Sequence, residues 1–154
     1  MRIVRTIGLA AVIGATALTA TAQNINWAVD ARKSVMVLRA HYMGLLGGMA
    51  KGQIEYDAAK ASAAANSLHA LSTIDQSRMW PQGSSTEELG DATRALPKIW
   101  ESPDDFKAKW GDFLSAAETL AAEAGKGADA MAAAFKAVGK SCGGCHKPYR
   151  APKK

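Results

Sequence analysis

Cys142-Gly143-Gly144-Cys145-His146 gathers two thiols and an imidazole into five residues. A thiolate is a nucleophile and a metal ligand, and a neutral imidazole is a common ligand of iron. On a helix, residues i and i+3 lie on one face, one above the other. Two cysteines so placed can bond both vinyl carbons along one edge of a porphyrin. His146, four residues after Cys142, then directs a ring nitrogen at the metal. Cys-x-x-Cys-His is the attachment signature of c-type haem, and the chain contains no other cysteine. Three other readings are weaker. A thioredoxin-like redox pair sits at the start of a helix in a βαβ pattern, whereas this pair lies late in Ala-rich helical sequence. Zinc needs about four ligands, so His41 or His69 would have to complete an awkward local trio. A disulfide between i and i+3 within a helix would be strained.

The N-terminus carries the same implication. Arg2 and Arg5 precede an apolar run from Ile7 to Leu18, and Ala20-Thr21-Ala22 offers an A-x-A cleavage site before Gln23. The run is too short to span a bilayer, and nothing later is long enough either. Residues 1–22 therefore read as an export signal rather than an anchor, and 23–154 as one mature domain. Cleavage implies a periplasmic protein with no membrane insertion. Losing Arg2 and Arg5 leaves 17 Lys and Arg against 14 Asp and Glu, a net charge of about +3. The basic residues are scattered apart from Arg150, Lys153 and Lys154 at the tail, so nucleic acid is not an expected partner.

Four segments have helical periodicity and none has sustained strand alternation. The first runs from about Asn26 to Met49, where Val35, Leu38, Tyr42, Leu45 and Met49 step by threes and fours; Gly47-Gly48 weakens its last turn. The second runs from an Asp57 cap to about Ser72, with Ala58, Ala61 and Ala65 forming a face of low bulk. Residues 74–101, with Pro81, Gly83, Gly90 and Pro97, read as a long irregular connection. The third starts at a Ser102 cap with Pro103 at its first position and Asp104 and Asp105 on the dipole. Phe106, Trp110, Phe113, Ala117, Leu120 and Ala124 follow, until Gly125 stops it. The fourth starts near Ala128 and carries Met131, Phe135, Val138, Cys142, Cys145 and Tyr149 on one stripe. The expected fold is all-α, an antiparallel four-helix bundle with its cofactor between the helices.

Only eight residues follow His146, and none is Met or His. A sixth iron ligand must therefore come from upstream, from Met36, Met43, Met49, Met79, His41 or His69. Methionines at helical spacing are more often core filler than ligands.

Along nearly the whole mature chain the sequence resembles the cytochromes c′. The matching pieces are Arg32-x-x-x-Met36, Lys51-Gly52-Gln53, Tyr56-Asp57-Ala58-Ala59, Met79-Trp80-Pro81 with Gly83, Ile99-Trp100, Phe106, and Ser141-Cys142 through His146 to Tyr149-Arg150. The resemblance implies one haem c, with thioethers at Cys142 and Cys145 and His146 as the proximal ligand. It places Arg150 beside the solvent side of that imidazole, Arg32 near a haem propionate, and Met36 over the distal face, with Trp80 as a second piece of that wall. Pro148 departs from the pattern: it lacks the N–H that would bond the Gly144 carbonyl, so the last helix is expected to kink or end just past His146.

Met36 leaves two outcomes. Its sulfur misses the iron in a five-coordinate, high-spin cytochrome c′ that transfers electrons and binds nitric oxide and carbon monoxide, the outcome the resemblance favours. Alternatively it ligates the iron, giving a low-spin class II electron carrier. A haem peroxidase or nitric oxide reductase is the weakest reading, because Val35, Met36 and Leu38 offer no distal acid or base, though a distal His41 would revive it. The resemblance thus implies a non-enzyme, with periplasmic redox partners and a homodimer through the first two helices.

Overall fold

The computed structural model describes residues 12–153. Of the expected leader, residues 1–11 lie outside the described residues and 12–22 form the first turns of helix α1, Val12–Ala50. Among the residues whose side chains are described, the first buried one is Val29. Gly52, at φ 69°, turns the chain out of α1, and Gln53 N–H donates to the Gly48 carbonyl at 2.9 Å. Helix α2, Ala58–Ser72, starts where expected: the Asp57 carboxylate accepts from Lys60 N–H at 2.9 Å.

The connection after α2 contains three short elements that its Pro and Gly content concealed. These are α3, Thr86–Leu89, behind a Ser85–Glu88 capping box, a 3₁₀ turn over Gly90–Ala92, and α4, Lys98–Glu101. Helix α5, Pro103–Glu123, follows almost without a break. Ser102 occupies the cap position, but its side chain makes no capping bond. It is also the last residue of the α4 turn, its N–H donating to the Lys98 carbonyl at 3.0 Å. Helix α6 spans Ala128–Tyr149 and runs through Pro148. The helix continues three residues past His146 and ends at Tyr149, one residue beyond the proline. Arg150 is extended, and its N–H still donates to the His146 carbonyl at 3.1 Å.

The four long helices form a ring in which α1 packs on α2, α2 on α5, α5 on α6 and α6 on α1. Short links join α1 to α2 and α5 to α6, so those pairs are antiparallel, and the long connection carries α2 to α5. Leu46, Leu68, Leu120, Met131 and Val138 are fully buried at the centre. The stripes expected of α5 and α6 face inward: Phe113, Ala117, Leu120 and Ala124, and Met131 and Val138, all belong to one core.

Two expectations need correction. Ala61, Ala64 and Ala65 of α2 are buried inside the bundle, where small side chains let α1 and α5 approach closely. Of the expected low-bulk face, Ala61 and Ala65 are therefore not free to form a dimer face, whereas Ala58 is exposed. On α1 the inward stripe is Val29, Arg32, Val35, Arg39, Leu46 and Met49, while Leu38 is exposed.

Candidate functional site

Cys142 and Cys145 sit on the inward side of α6, half-buried and unbonded to each other. Cys142 packs on the central core. Cys145 packs on a second cluster of Ala95, Ile99 and Tyr149, edged by Trp80, Trp100 and Phe106. The two sulfurs therefore lie at the junction of bundle and connection. Burial, first of all causes, pushes both thiols above the ordinary cysteine range. A pair built for disulfide exchange needs the opposite, a lowered nucleophile. Among the described residues no three His, Cys, Asp or Glu side chains converge as a metal cage, so the zinc reading gains nothing.

His146 is half-buried at the same end. Burial, then the charges of Arg150 and Arg94, lower its pKa, which keeps the ring neutral and its nitrogen lone pair available to iron. The segment after it is pinned. Leu96 N–H donates to the Tyr149 carbonyl at 3.0 Å, and Ala151 N–H to that of Arg94 at 2.9 Å. Ala95 and Arg150 form an antiparallel bridge. The Arg94 guanidinium returns to the Ala151 carbonyl. The Tyr149 hydroxyl donates to Asp105 Oδ2 at 2.5 Å, tying α6 to α5. Sequence periodicity found Tyr149 but not this clamp, whose parts are separated by the whole of α5 and α6.

Across from α6, α1 presents Arg32, Met36 and Arg39. The Arg32 terminal nitrogens donate to the Met79 carbonyl (3.2 Å), Ser84 Oγ (2.8 Å), the Ser84 carbonyl (2.6 Å) and Thr93 Oγ1 (2.9 Å). Arg32 thus fastens the connection to α1, and only its Nε remains for a propionate. Its guanidinium also lies 4.7 Å from the Trp80 ring centre, and that ring meets Phe106 edge-on at 5.0 Å. Trp80 is half-buried between α1 and the Cys145 cluster, as a wall residue would be. Met36 is half-buried one turn along, with Sδ 3.8 Å from Arg39 Nη1. His41 is exposed and lies edge-on to Tyr42 at 5.2 Å, so it is not a distal acid or base. Met43 and Met49 pack in or on the central core.

Arg39 was not among the sequence candidates. It is buried, its guanidinium 4.4 Å from the Trp110 ring centre and 5.0 Å from that of Phe113, with Nη2 donating to the Leu71 carbonyl at 2.5 Å. Its buried Nε has no hydrogen-bond partner. Burial lowers its pKa to about 10, partly offset by Cys142 and Cys145. Its spacing was the available signal, seven residues after Arg32 and three after Met36 on one helical face.

Two free thiols on an inward face, a neutral imidazole beside them, aromatic walls and a buried cation with unused donors fit a planar, polarisable, covalently held cofactor such as haem. They do not fit an apolar core closed on itself, which leaves no buried donor unpaired.

Residues 27–150 match the family described as Cytochrome C′. Cytochrome c-554 of Cereibacter sphaeroides is 40% identical over 134 residues, covering 87% of this chain and 87% of its own. Among solved structures, a cytochrome c′ from Rhodobacter is 37% identical with a TM-score of 0.81, covering 84% of this chain and 98% of its own. A nitric oxide complex of a variant cytochrome c prime from Alcaligenes xylosoxidans is 33% identical with a TM-score of 0.73, covering 84% and 97%.

Proposed function

The chain belongs to the cytochrome c′ family, whose members bind haem c, and from that premise we propose that it is a periplasmic, five-coordinate cytochrome c′. Cys142 and Cys145 hold the cofactor through thioethers, His146 ligates its iron, and Met36 caps the opposite face. The haem, when bound, supplies a one-electron redox centre and an iron that takes up nitric oxide or carbon monoxide. The observation that carries this reading is the gathering of Cys142, Cys145 and His146, all half-buried, at the end of α6, with the two cysteines packed on the two core clusters.

The chain's own groups divide the work. The two thiols fix the macrocycle edge to one helix, so the cofactor stays in register with α6 in either oxidation state. The imidazole is kept neutral by burial and by Arg150 and Arg94, and the same cations favour the electron-rich state of whatever it ligates. The pinned tail holds the imidazole in place. Arg32 and Trp80 close the connection over the cofactor. Residues 1–22 act as an export signal and 23–154 as the mature domain. No helix among the described residues is long and apolar enough to cross a membrane. The mature protein forms a homodimer through α1 and α2, using their outer faces, and exchanges electrons with periplasmic partners. It is a carrier and gas binder rather than an enzyme.

A second reading draws on the half-buried Met36, whose sulfur lies 3.8 Å from the buried Arg39: it ligates the iron, and the protein is a low-spin electron carrier. One spectrum separates the two. The reduced, haem-loaded protein is expected to give a broad high-spin band that changes when carbon monoxide is added. A sharp, split α band indifferent to carbon monoxide would establish the second reading instead.

A further inference from the structure

The basic residues that look scattered along the chain are gathered by the fold. Residues 128–154, helix α6 and the tail, carry six Lys and Arg against one acid, whereas residues 23–127 carry eleven against thirteen. The net charge is therefore +5 on the segment that bears Cys142, Cys145 and His146, and −2 on the rest of the expected mature domain. Lys136, Lys140 and Lys147 recur after four and seven residues, which places them on one side of α6, turned away from the inward stripe of Met131, Val138 and Cys142. All three are exposed, and they span about 16 Å of helix. No ion pair among the described residues involves them: the pairs are Lys60–Asp57, Lys109–Asp105 and Lys126–Glu123. The single acid of α6, Asp129, is in its first turn, about 25 Å along the helix from His146.

The side chains between the lysines keep this face low. Ala133, Ala137, Gly139 and Gly144 are exposed, and a Cβ at Gly139, Gly143 or Gly144 would meet nothing within 4 Å. A flat partner can therefore approach the helix backbone with the ammonium groups around its contact. The exposed large apolar side chains lie elsewhere, Trp27, Val37 and Leu38 on α1 and Ile54 and Ile74 outside the helices. A helix that lies on a membrane needs an apolar face to bury as well as its cations, and α6 turns its apolar face inward. Cations without apolar anchors suit a wet, short-lived contact with carboxylates, in which charge raises the encounter rate and fixes the register.

We propose that the outer face of α6 is a docking surface for an acidic electron-transfer protein, whose carboxylates meet Lys136, Lys140 and Lys147. This surface presupposes the carrier reading above. A partner seated on it is one helix, about 10 Å, from the side that holds Cys142 and Cys145. One electron crosses that distance, the partner's centre being oxidised by one and the haem iron reduced by one, with no bond made or broken.

The test uses haem-loaded protein and, as the probe, a plant-type ferredoxin, a strongly acidic one-electron donor. Binding is read by surface plasmon resonance and by amide chemical shifts, and electron transfer by stopped-flow absorbance. Both are run at ionic strengths of about 10 mM and about 1 M, between which the screening length falls from about 30 Å to about 3 Å. One variant reverses the face (Lys136→Glu, Lys140→Glu, Lys147→Glu) and a second neutralises it with glutamine at the same sites. A third, Lys51→Glu with Lys60→Glu and Lys126→Glu, makes the same change in net charge at the opposite end of the bundle, where Tyr56 ties the two links together. At low salt the α6 reversal is expected to weaken ferredoxin binding about tenfold or more relative to the third variant, with the neutralised face intermediate and all three alike at high salt. The wild-type amide shifts are expected to lie along α6. Equal weakening by the α6 and opposite-end reversals, or shifts confined to other helices, overturns the surface. Ferredoxin that docks on α6 yet reduces nothing supports the surface and overturns the carrier reading. Phosphatidylglycerol vesicles that bind through these lysines, with ferredoxin binding indifferent to them, overturn the acidic protein in favour of a membrane.

Discussion

The Tyr149 hydroxyl shows how one bond can act on two flanks of a pH profile. The side chain is buried, and its bond to Asp105 is the largest cause of both groups' shifts. It holds the Asp105 carboxyl below the usual carboxylate range and pushes Tyr149 up to about 12. The depressed carboxyl contributes stability above the unfolded value of about 3.9, lost as pH falls through its folded pKa. The raised phenol contributes stability below about 10, lost as pH climbs towards about 12. Tyr149→Phe removes both contributions. Thermal melts are expected to show the largest wild-type advantage between about pH 5 and 9, shrinking on either side. An advantage that stays constant from acid to alkali would mean that the ring's packing on Phe106, 5.3 Å away, carries the stability instead. Arg32 sets a second residue-scale expectation. Its loss strands buried acceptors on Ser84 and Thr93, so Arg32→Met is expected to cost about 3 kcal/mol in denaturant unfolding. Neither effect was legible in the sequence. Arg32 pairs with residues 47 to 61 positions away, and Tyr149 with one 44 positions away. Residue type announced the thiols and the imidazole, but hydrogen-bond partners across that distance leave no local pattern.

At the scale of elements, legibility followed the purity of each inward stripe. α5 and α6 bury apolar side chains at nearly every third or fourth position, so their faces and the placement of both cysteines could be read directly. α1 could not be read so simply. Two of its inward positions are arginines, and its outer side carries Val37 and Leu38, so the apolar count tilts towards the wrong face. The tertiary partners that make those arginines tolerable lie on the connection and on α2 and α5. Gly47 and Gly48, which looked like weaknesses in the last turn of α1, are contact points. A Cβ at Gly47 would lie 3.0 Å from the tip of the Phe135 ring on α6, whereas one at Gly44 would meet nothing within 4 Å. Two glycines three residues apart should therefore respond oppositely. Gly44→Ala is expected to stabilise by about 0.5–1 kcal/mol through helix propensity. Gly47→Leu is expected to destabilise by about 1–3 kcal/mol through overpacking of the α1–α6 interface. Urea unfolding of both, read by far-UV circular dichroism, checks the pair. A stable Gly47→Leu variant would show that Phe135 has room to withdraw.

For the molecule as a whole, what is buried within one bundle constrains how two bundles meet. Ala61, Ala64 and Ala65 of α2 are consumed internally, so a dimer through α1 and α2 must use what remains outside. That surface includes Trp27 at 66% exposure, Val37 at 69% and Leu38 at 47%, with Asp30, Lys33 and Ser34 lining a shallow depression beside the last two. Burying three such side chains favours association, and Asp30 and Lys33 can pair across a two-fold axis, because an isologous interface sets each patch against its own copy. Placing two glutamates there, Val37→Glu with Leu38→Glu, sets like charges against each other and is expected to convert a dimer into a monomer by sedimentation, with helicity and haem absorbance unchanged. Leu46→Ala is the informative contrast. Leu46 is fully buried in the central core, so its truncation should cost about 2–5 kcal/mol of stability without selectively altering association. Adding carbon monoxide to the wild type in the same experiment asks whether ligand binding opposite His146 reaches the interface, since Met36 and the exposed pair are neighbours along α1. A wild-type protein that sediments as a monomer at every concentration, with or without carbon monoxide, would remove α1 as an association face and leave its exposed side chains to a different partner.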